Sequence, residues 1–296
     1  MAPTNYLSID VEDYFHVSAF EAVAPAAGWE GRELRVERNT ERLLQMLAEQ
    51  GAPATFFILG WVAERCPDLV RRIAAAGHEI ASHGFGHRRV GTQSREEFRS
   101  DLRRSKAVLE DLTGSPVLGY RAPSYSISAR TWWAFDELHA AGFRYDSSIF
   151  PVRHDLYGLA DWPRFAGPAE RADGGAWKPA QGAADGRPRL LEIPITTLAL
   201  GGRNWPIAGG GYFRLFPYAL TRWGLRRINQ QDRQPFVFYL HPWEVDPDQP
   251  RLTGAGWKSH TRHYLNLHRT EGRFRRLLRD FSFAPLRELL PAGEAS

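Results

Sequence analysis

Short apolar runs recur along the chain, and most of them are separated by segments with helical periodicity. The runs typical of buried strands are 5–10, 54–59, 78–82, 117–122, 143–148, 190–195 and 236–241. The segments with a helical spacing of apolar residues are 38–50, 62–76, 94–113, 128–141 and 217–230. Strands that are covered on both faces, as in parallel sheets, form continuous apolar runs of this kind. The alternation therefore predicts β–α units around a parallel sheet, which is the α/β class.

The glycines and the loop-like regions divide the chain further. Gly77 and Gly142 follow helical segments at the position where a left-handed C-terminal cap is common. Residues 152–188 interrupt the alternation, because they are rich in Gly, Ala and Pro with few large apolar residues, and 201–217 add aromatic residues and a Gly triplet. We expect a single domain over 1–296, with an insertion at about 152–216 and a C-terminal helical extension at about 246–296.

Composition changes this picture little. The net charge of +4 comes mostly from arginine, and the Arg-rich runs 101–106 and 271–280 lie within helical patterns. Solvated helix faces explain such runs, and no nucleic-acid-binding signature is present. The chain has one cysteine, Cys66, so an intramolecular disulfide is excluded and a buried thiol is expected.

A secretory signal has a basic region followed by an apolar stretch, and the N-terminal residues "MAPTNYLSID" have neither. No window approaches the roughly 18 apolar residues of a membrane span. We therefore expect a cytoplasmic protein without a transmembrane segment, with peripheral contact to the inner membrane as the alternative.

Ionisable side chains end or directly follow the predicted strands. They are Asp10, Glu12, Asp13, His83, His87, Arg121, Asp146 and His241. In parallel α/β folds the active site lies at the carboxyl edge of the sheet, so these groups are expected to converge there. Each one alone has an ordinary structural explanation, such as a turn-forming carboxylate or a surface histidine. Their shared position favours a catalytic site.

The combination suits hydrolysis of an amide or ester. Two imidazoles and one carboxylate form a three-ligand set for Zn²⁺ or a similar divalent ion, with a position left for water. Such an ion lowers the pKa of water towards neutrality and polarises a carbonyl oxygen. A further carboxylate then serves as general base and a histidine from another strand as general acid.

With these residues identified, the chain resembles the polysaccharide deacetylases with the NodB-type domain, carbohydrate esterase family 4. The resemblance covers about 5–150 and 189–245, and its most specific stretch is "APATFFILGWVAERCPDLVRRIAAAGHEIASHGFGH". "IDVEDYFHVSAF", "GGGYFRLFPY" and "YLHPWEVDPDQPRL" are similar to segments of the subgroup from exosortase-linked exopolysaccharide loci. The resemblance implies a distorted, incomplete (β/α) barrel of about seven parallel strands. It also implies metal-dependent removal of N-acetyl groups from amino sugars of a polysaccharide or its biosynthetic intermediate.

Carried over by position, the resemblance gives each site residue a role. Asp10 is the general base, Arg121 its orienting partner and His241 the general acid, while His83 and His87 are metal ligands. The residues assigned to the substrate groove are Asp146, Pro123, Ser124, Tyr125 and Trp243. The cofactor implied is one divalent ion, Zn²⁺ first, with Co²⁺, Ni²⁺ or Mn²⁺ as alternatives. The substrate implied is an N-acetylated amino-sugar polymer or a lipid-linked intermediate.

Two positions depart from the common family pattern. Asp10 is followed by Val11, Glu12 and Asp13, whereas the family pattern has two adjacent aspartates, so Glu12 and Asp13 stand at even odds as the carboxylate ligand. Ser124 takes a place where an aromatic residue often follows the proline, although its backbone N–H is still available to stabilise an oxyanion.

Two rival functions share parts of this pattern. A related barrel acting on a small cyclic amide keeps the fold but changes the substrate. A non-catalytic carbohydrate-binding protein has no need for a base, two metal-binding histidines, an arginine and an acid together.

Overall fold

The computed structural model of the protein describes residues 3–153, 158–182 and 186–292. Across those residues, none of the helices combines the length and apolar character needed to span a bilayer. The strands at the centre of the fold are β1 (Asn5–Val11), β2 (Thr55–Ile58), β3 (Glu79–Ser82), β4 (Gly119–Tyr120), β5 (Tyr145–Asp146), β8 (Arg189–Glu192) and β11 (Val237–Leu240).

These seven strands pair in parallel in the order β11-β1-β2-β3-β4-β5-β8. All four residues of each of β2, β3 and β11 are buried, as expected of strands that are covered on both faces. No pairing joins β11 to β8 among the described residues, but Thr196 Oγ1, just after β8, accepts a hydrogen bond from the Val237 N–H at 2.7 Å. The predicted incomplete barrel of about seven parallel strands is confirmed.

Helices cover the outside of this sheet. They are α1 (Val36–Gln50), α2 (Gly60–Arg65), α3 (Pro67–Ala75), α4 (Arg95–Thr113), α5 (Trp133–Ala140), α6 (Gly210–Leu215), α7 (Tyr218–Arg227), α8 (Trp257–Tyr264) and α9 (Leu267–Asp280). The five helical segments predicted from periodicity all contain helix, and the 62–76 segment is divided between α2 and α3 at Pro67, which begins α3. Gly114 ends α4 with a positive φ of 64°, the left-handed cap that glycine accommodates without strain.

The region from 152 to 216 contains more regular structure than its composition predicts. β6 (Gly167–Arg171) and β7 (Trp177–Pro179) extend the sheet beyond β8 as antiparallel strands. β9 (Thr197–Leu200) and β10 (Arg203–Pro206) form a separate hairpin. Its turn, Gly201 and Gly202, has positive φ at both residues, so the two glycines are what allow the tight connection.

The inside of the barrel is a second, smaller core. It contains inward-facing side chains of β2, β3, β5 and β11 and of the chain just after β8, namely Phe57, Ala81, Tyr145, Val237 and Ile193. The C-terminal segment closes this core at the amino ends of the strands, because β12 (Phe283–Ala284) pairs with β1 and Leu286 and Leu290 join the cluster. The opposite, carboxyl ends of the strands are left for the site.

Candidate active site

A buried ion pair lies at the centre of the carboxyl edge. Arg121, which directly follows β4, is completely buried, and its Nη1 donates to Asp10 Oδ1 at 2.6 Å and to Ser8 Oγ at 2.7 Å. Its Nε and Nη2 donate to the carbonyl oxygen and the hydroxyl of Ser147 at 3.1 and 2.8 Å. With the guanidinium held on both sides, the Asp10 carboxylate is fixed through Oδ1 while Oδ2 remains directed towards the other site residues.

Beside this pair, Glu12, His83 and His87 bring one ligand atom each within 4.8 Å of one another. His87 Nε2 lies 2.7 Å from Glu12 Oε2, yet this buried oxygen has no properly directed hydrogen bond among the described residues. His83 Nδ1 lies 2.8 Å from the carbonyl oxygen of Arg121 and must donate to it, which leaves the lone pair on Nε2. An orphaned carboxylate oxygen beside two imidazoles of this kind fits a divalent cation.

The charges around the cluster agree with this fit. Burial lowers the pKa of His83 to about 4, so the ring is neutral at pH 7, which is the form that binds a metal. Burial raises the pKa of Glu12, but the neighbouring histidines His87, His241 and His83 outweigh it and hold the pKa well below its usual range. The cluster therefore presents one negative carboxylate.

Asp13, the alternative carboxylate ligand, faces elsewhere. Its Oδ2 accepts the backbone N–H groups of Arg35 at 2.6 Å and Val36 at 2.9 Å, and Val36 begins α1. Its Oδ1 accepts the N–H of Tyr14 at 2.9 Å. Asp13 thus stabilises the first turn of α1, where a carboxylate is favoured. Of the two alternatives, the structure places Glu12 beside the histidines. The expectation that Asp13 could be the carboxylate ligand is therefore corrected.

A side chain of α4 fixes the loop that carries His83 and His87. The half-buried Asp101 carboxylate accepts the N–H groups of Phe85 at 2.7 Å and Gly86 at 3.2 Å. Gly84 has φ of +75°, and a Cβ there would lie 2.9 Å from Asp101 Oδ2, so glycine is required for this close approach. Sequence reasoning missed Asp101, because nothing in a polar helix face marks one carboxylate as a loop anchor.

His241, just after β11, faces the same centre. Its Nε2 lies 3.6 Å from Glu12 Oε1 and 3.9 Å from Asp10 Oδ2, and its Nδ1 lies 2.7 Å from Glu244 Oε1. Arg214 Nε in turn donates to Glu244 Oε2 at 2.6 Å. Burial opposes a charged ring, but the carboxylates of Glu12, Glu244 and Asp10 raise the pKa of His241 to about 9. Glu244 and Arg214 were missed, although a carboxylate three residues after His241 in "HPWE" was a usable signal.

Trp243, which the sequence assigned to the substrate groove, is buried beside the site instead, and this assignment is corrected. It is 5% exposed, and its indole N–H donates to Glu12 Oε1 at 3.2 Å. Its ring lies between those of His241 and His263, at centroid distances of 5.2 and 4.1 Å and nearly parallel to both. Trp243 therefore positions Glu12 and His241 from within the core.

The predicted groove residues after β4 and β5 also lie deeper than expected. Asp146 is fully buried, and its two oxygens accept the hydroxyl and the N–H of Ser148 at 2.6 and 2.9 Å. Ser148 Oγ accepts the N–H of Ala122 at 2.8 Å. Through Ser148, Asp146 thus fixes the segment that follows Arg121. The assignment of Asp146 to the substrate groove is therefore corrected.

The segment that Asp146 supports is Ala122–Ser126. Pro123 and Tyr125 are buried, while Ser124 is partly exposed and its hydroxyl lies 2.6 Å from that of Ser18. Ser124 and Tyr125 have φ of +55° and +53°, which is strained for residues other than glycine and holds this turn in one shape. Within the predicted groove, Ser124 is the residue that a ligand would reach most readily.

A cleft of about 340 Å³ adjoins the histidine loop on the side of the 15–29 segment. It is lined by rings, among them His16, Trp29 and His87, and by polar groups such as Ser18 and Glu21. A lining of apolar and aromatic side chains with a few polar groups is typical of small-molecule binding clefts.

Comparison with family models divides the chain into two matched regions. Residues 27–145 match the model described as Polysaccharide deacetylase. Residues 147–291 match the model described as Domain of unknown function (DUF3473). Asp10 and Glu12 precede both regions, whereas His241 lies in the second.

Similar proteins among curated sequences include deacetylases. The chain is 32% identical over 118 residues to a peptidoglycan deacetylase of Helicobacter pylori, covering 38% of each protein. It is 36% identical over 85 residues to a chitooligosaccharide deacetylase of Sinorhizobium fredii, covering 28% of this chain and 40% of the relative. The matched stretch thus spans about two fifths of the length of either relative.

Two solved structures share the fold. One is a Mycobacterium smegmatis protein assigned to the polysaccharide deacetylases, with a TM-score of 0.57 and 18% identity, covering 98% of this chain and 93% of that one. The other is the Puue allantoinase, with a TM-score of 0.54 and 15% identity, covering 96% and 87%. At these identities the likeness is one of fold.

Proposed function

We propose that this chain, which belongs to the polysaccharide deacetylase family, is a metal-dependent hydrolase that removes N-acetyl groups from amino sugars of a polysaccharide or its biosynthetic intermediate. The observation that carries the proposal is the convergence of Glu12, His83 and His87 beside the Asp10–Arg121 pair and His241. A carbohydrate-binding protein needs sugar contacts but not this set of buried, mutually oriented ionisable groups.

The residues that would hold the metal are Glu12, His83 and His87. When bound there, a divalent ion supplies Lewis acidity, which makes water a stronger acid and polarises the acetyl carbonyl. Nitrogen and oxygen donors in a set of three suit Zn²⁺ first, with Co²⁺, Ni²⁺ or Mn²⁺ as alternatives.

The other residues handle protons. Asp10 accepts a proton from the attacking water at Oδ2, because Oδ1 is occupied by Arg121. His241 donates a proton from Nε2 to the leaving amine, since Nδ1 is held by Glu244 and Nε2 faces the site. The backbone around Ser124, fixed by the strained turn, is available to donate to the oxyanion. The products are acetate and a free amino sugar.

The proposal is tested with two variants and two readouts. His83→Ala is expected to lose stoichiometric metal and the release of acetate from an N-acetylglucosamine oligomer, because one imidazole ligand is missing. His241→Ala is expected to keep its metal while turnover falls by roughly 10²-fold or more, the usual contribution of a general acid. His139→Ala, on α5 and outside the cluster, is the matched control. Full metal content and full activity in His83→Ala would overturn the proposal, and activity on a cyclic amide instead would favour the rival hydrolase.

A further inference from the structure

The hairpin β9–β10 and helix α7 expose large apolar side chains that no part of the described structure covers. Leu200 and Trp205 on the hairpin are 46% and 51% exposed, and Leu220 and Trp223 on α7 are 41% and 46% exposed. With Arg203 and Arg227 they form what we call the hairpin–α7 surface. Exposed tryptophan and leucine grouped in this way mark an interaction site rather than scattered surface residues.

The geometry places these side chains on one continuous face. Trp205 lies directly opposite Leu198 in the hairpin, and Arg203 lies opposite Leu200, so all four side chains point to the same side. Helix α7 packs on that side, because a Cβ at Gly224 would lie 3.4 Å from the Leu198 side chain and 2.9 Å from Ile207. Leu220, Trp223 and Arg227 follow at helical spacing beside Gly224, on the flank of α7 that continues the hairpin face.

The charges on this surface are of one sign. Within the described ranges, no carboxylate forms an ion pair with Arg203, Arg226 or Arg227, and the Arg227 guanidinium lies 6.0 Å from the centre of the Trp223 ring. Two acidic groups on neighbouring segments pair with other arginines, since Asp280 pairs with Arg222 and Asp232 with Arg164. By contrast, the Arg-rich faces of α4 and α9 contain arginines paired with carboxylates, such as Arg104 with Glu64 and Arg275 with Glu49.

Exposed apolar side chains together with unpaired arginines favour one kind of binding partner over another. A second copy of the chain meeting this surface face to face would bring unpaired arginines against one another. An anionic lipid surface satisfies both features, because tryptophan and leucine enter the boundary between headgroups and acyl chains while arginine contacts the phosphates.

We infer that the hairpin–α7 surface docks the protein onto an anionic lipid surface. The inference goes beyond the proposed deacetylation and does not depend on it. The hairpin begins five residues after Glu192, at the carboxyl end of β8, and Gly209 packs against the Tyr239 backbone two residues before His241. The surface therefore extends along the side of the sheet, from the hairpin that follows β8 to the end of α7, beyond which Asn229 Nδ2 donates to Asn5 Oδ1 at the start of β1.

The test uses the full-length protein and vesicle sedimentation. The protein is expected to pellet with vesicles of phosphatidylcholine and phosphatidylglycerol in equal amounts, less so as salt rises, and not with phosphatidylcholine alone. Replacing both Trp205 and Trp223 by alanine is expected to weaken vesicle affinity about tenfold or more. Arg203→Ala and Arg227→Ala are each expected to weaken it about fivefold. Circular dichroism and thermal unfolding check that each variant is folded.

Matched controls and a second measurement separate lipid docking from non-specific effects of the substitutions and from self-association. Trp257→Ala removes a more exposed tryptophan, 74% exposed, and Arg71→Ala removes an arginine of α3, and both are expected to bind vesicles like the unchanged protein. The Trp205 and Trp223 double variant is expected to keep full activity on a soluble acetylated oligosaccharide. Failure of the unchanged protein to bind anionic vesicles would overturn the inference. So would self-association in sedimentation equilibrium that the double variant abolishes, which would assign the surface to a second copy.

Discussion

At the scale of single residues, Trp243 shows how one side chain serves two neighbours. Its indole N–H contacts the Glu12 oxygen that is not directed at His87, while its ring packs along His241. A ligand carboxylate held in this way needs no reorientation before it binds a cation, and partners of metal ligands commonly contribute 10- to 100-fold to affinity.

Trp243→Phe tests this role, because phenylalanine keeps a buried aromatic ring but removes the N–H donor. We expect metal affinity, measured by competition with a chelator, to fall about tenfold or more, while the protein remains folded. Trp177→Phe is the matched control, since Trp177 is 2% exposed and its N–H donates to Asp136 at 2.9 Å, on another part of the molecule. Equal metal affinity in both variants would show that the indole N–H does not orient Glu12.

The residue identities near the site were predictable to different degrees. His83, His87, Arg121 and His241 follow predicted strands, so the topology of a parallel sheet brings them together. The distinction between Glu12 and Asp13 could not be predicted, because it depends on which carboxylate the N-terminus of α1 recruits. The burial of Trp243 and Asp146 depends on long-range packing that a strand-end position does not reveal.

At the scale of elements, β5 and β8 bring two carboxyl groups face to face. Asp146 and Glu192 are directly paired in the strand register, and both are completely buried. Burial and the neighbouring Asp146 raise the pKa of Glu192 well above its ordinary value, so the pair shares a proton. A group whose pKa is raised on folding contributes stability that is complete below its unfolded pKa and is lost as pH rises through its folded pKa.

Glu192→Gln should therefore become more stable relative to the unchanged protein as pH rises from 5 to 8. The glutamine amide can donate to Asp146 at every pH. The Glu192 carboxyl group can do so only while it is protonated. The difference in free energy of unfolding is expected to grow by at most about 1.4 kcal/mol per pH unit. Urea unfolding at several pH values measures it. The control is Glu170→Gln, at a buried glutamate that pairs with Arg189, and it should show no such gain. A difference in free energy of unfolding that does not change with pH for Glu192→Gln would contradict the shared proton.

The elements themselves were predicted best where their apolar runs are long. β1, β2, β3 and β11 are buried on both faces and therefore appear as continuous apolar sequence. β6 and β7 were missed because they are short, flanked by glycine and proline, and only partly buried. The hairpin β9–β10 did carry a usable signal, since the pair Gly201–Gly202 directly after an apolar run is typical of a two-residue turn.

At the scale of the whole molecule, the two regions matched by family models form one sheet. β2 to β5 lie in or at the end of the first region, β8 and β11 lie in the second, and β1 precedes both. β1 is central because it pairs with β2, β11 and β12 at once. The candidate site consequently takes its proposed ligands, base and acid from three separate parts of the chain, and none of these parts holds the whole site.

The C-terminal segment ties this sheet together at the end opposite the site. Leu286 is completely buried in the barrel interior, its backbone N–H donates to Thr55 Oγ1 at 2.7 Å, and the next N–H, of Arg287, donates to Glu79 Oε2 at 3.0 Å. Thr55 and Glu79 begin β2 and β3. The segment thus closes the amino ends of the strands and supplies apolar volume to a core that they cannot fill alone.

Leu286→Ala should therefore destabilise the protein strongly while sparing the site. We expect the free energy of unfolding in urea to fall by about 3 kcal/mol, the usual cost of such a cavity in a closed core. Leu34→Ala, at a leucine that is 41% exposed, should change it by less than about 0.5 kcal/mol. Folded Leu286→Ala should still bind metal like the unchanged protein, because the cavity lies at the amino ends of strands whose carboxyl ends hold Glu12 and His83. A small loss of stability would mean that the segment covers the barrel without filling it, and a loss of metal at full stability would mean that the two ends are coupled through the interior.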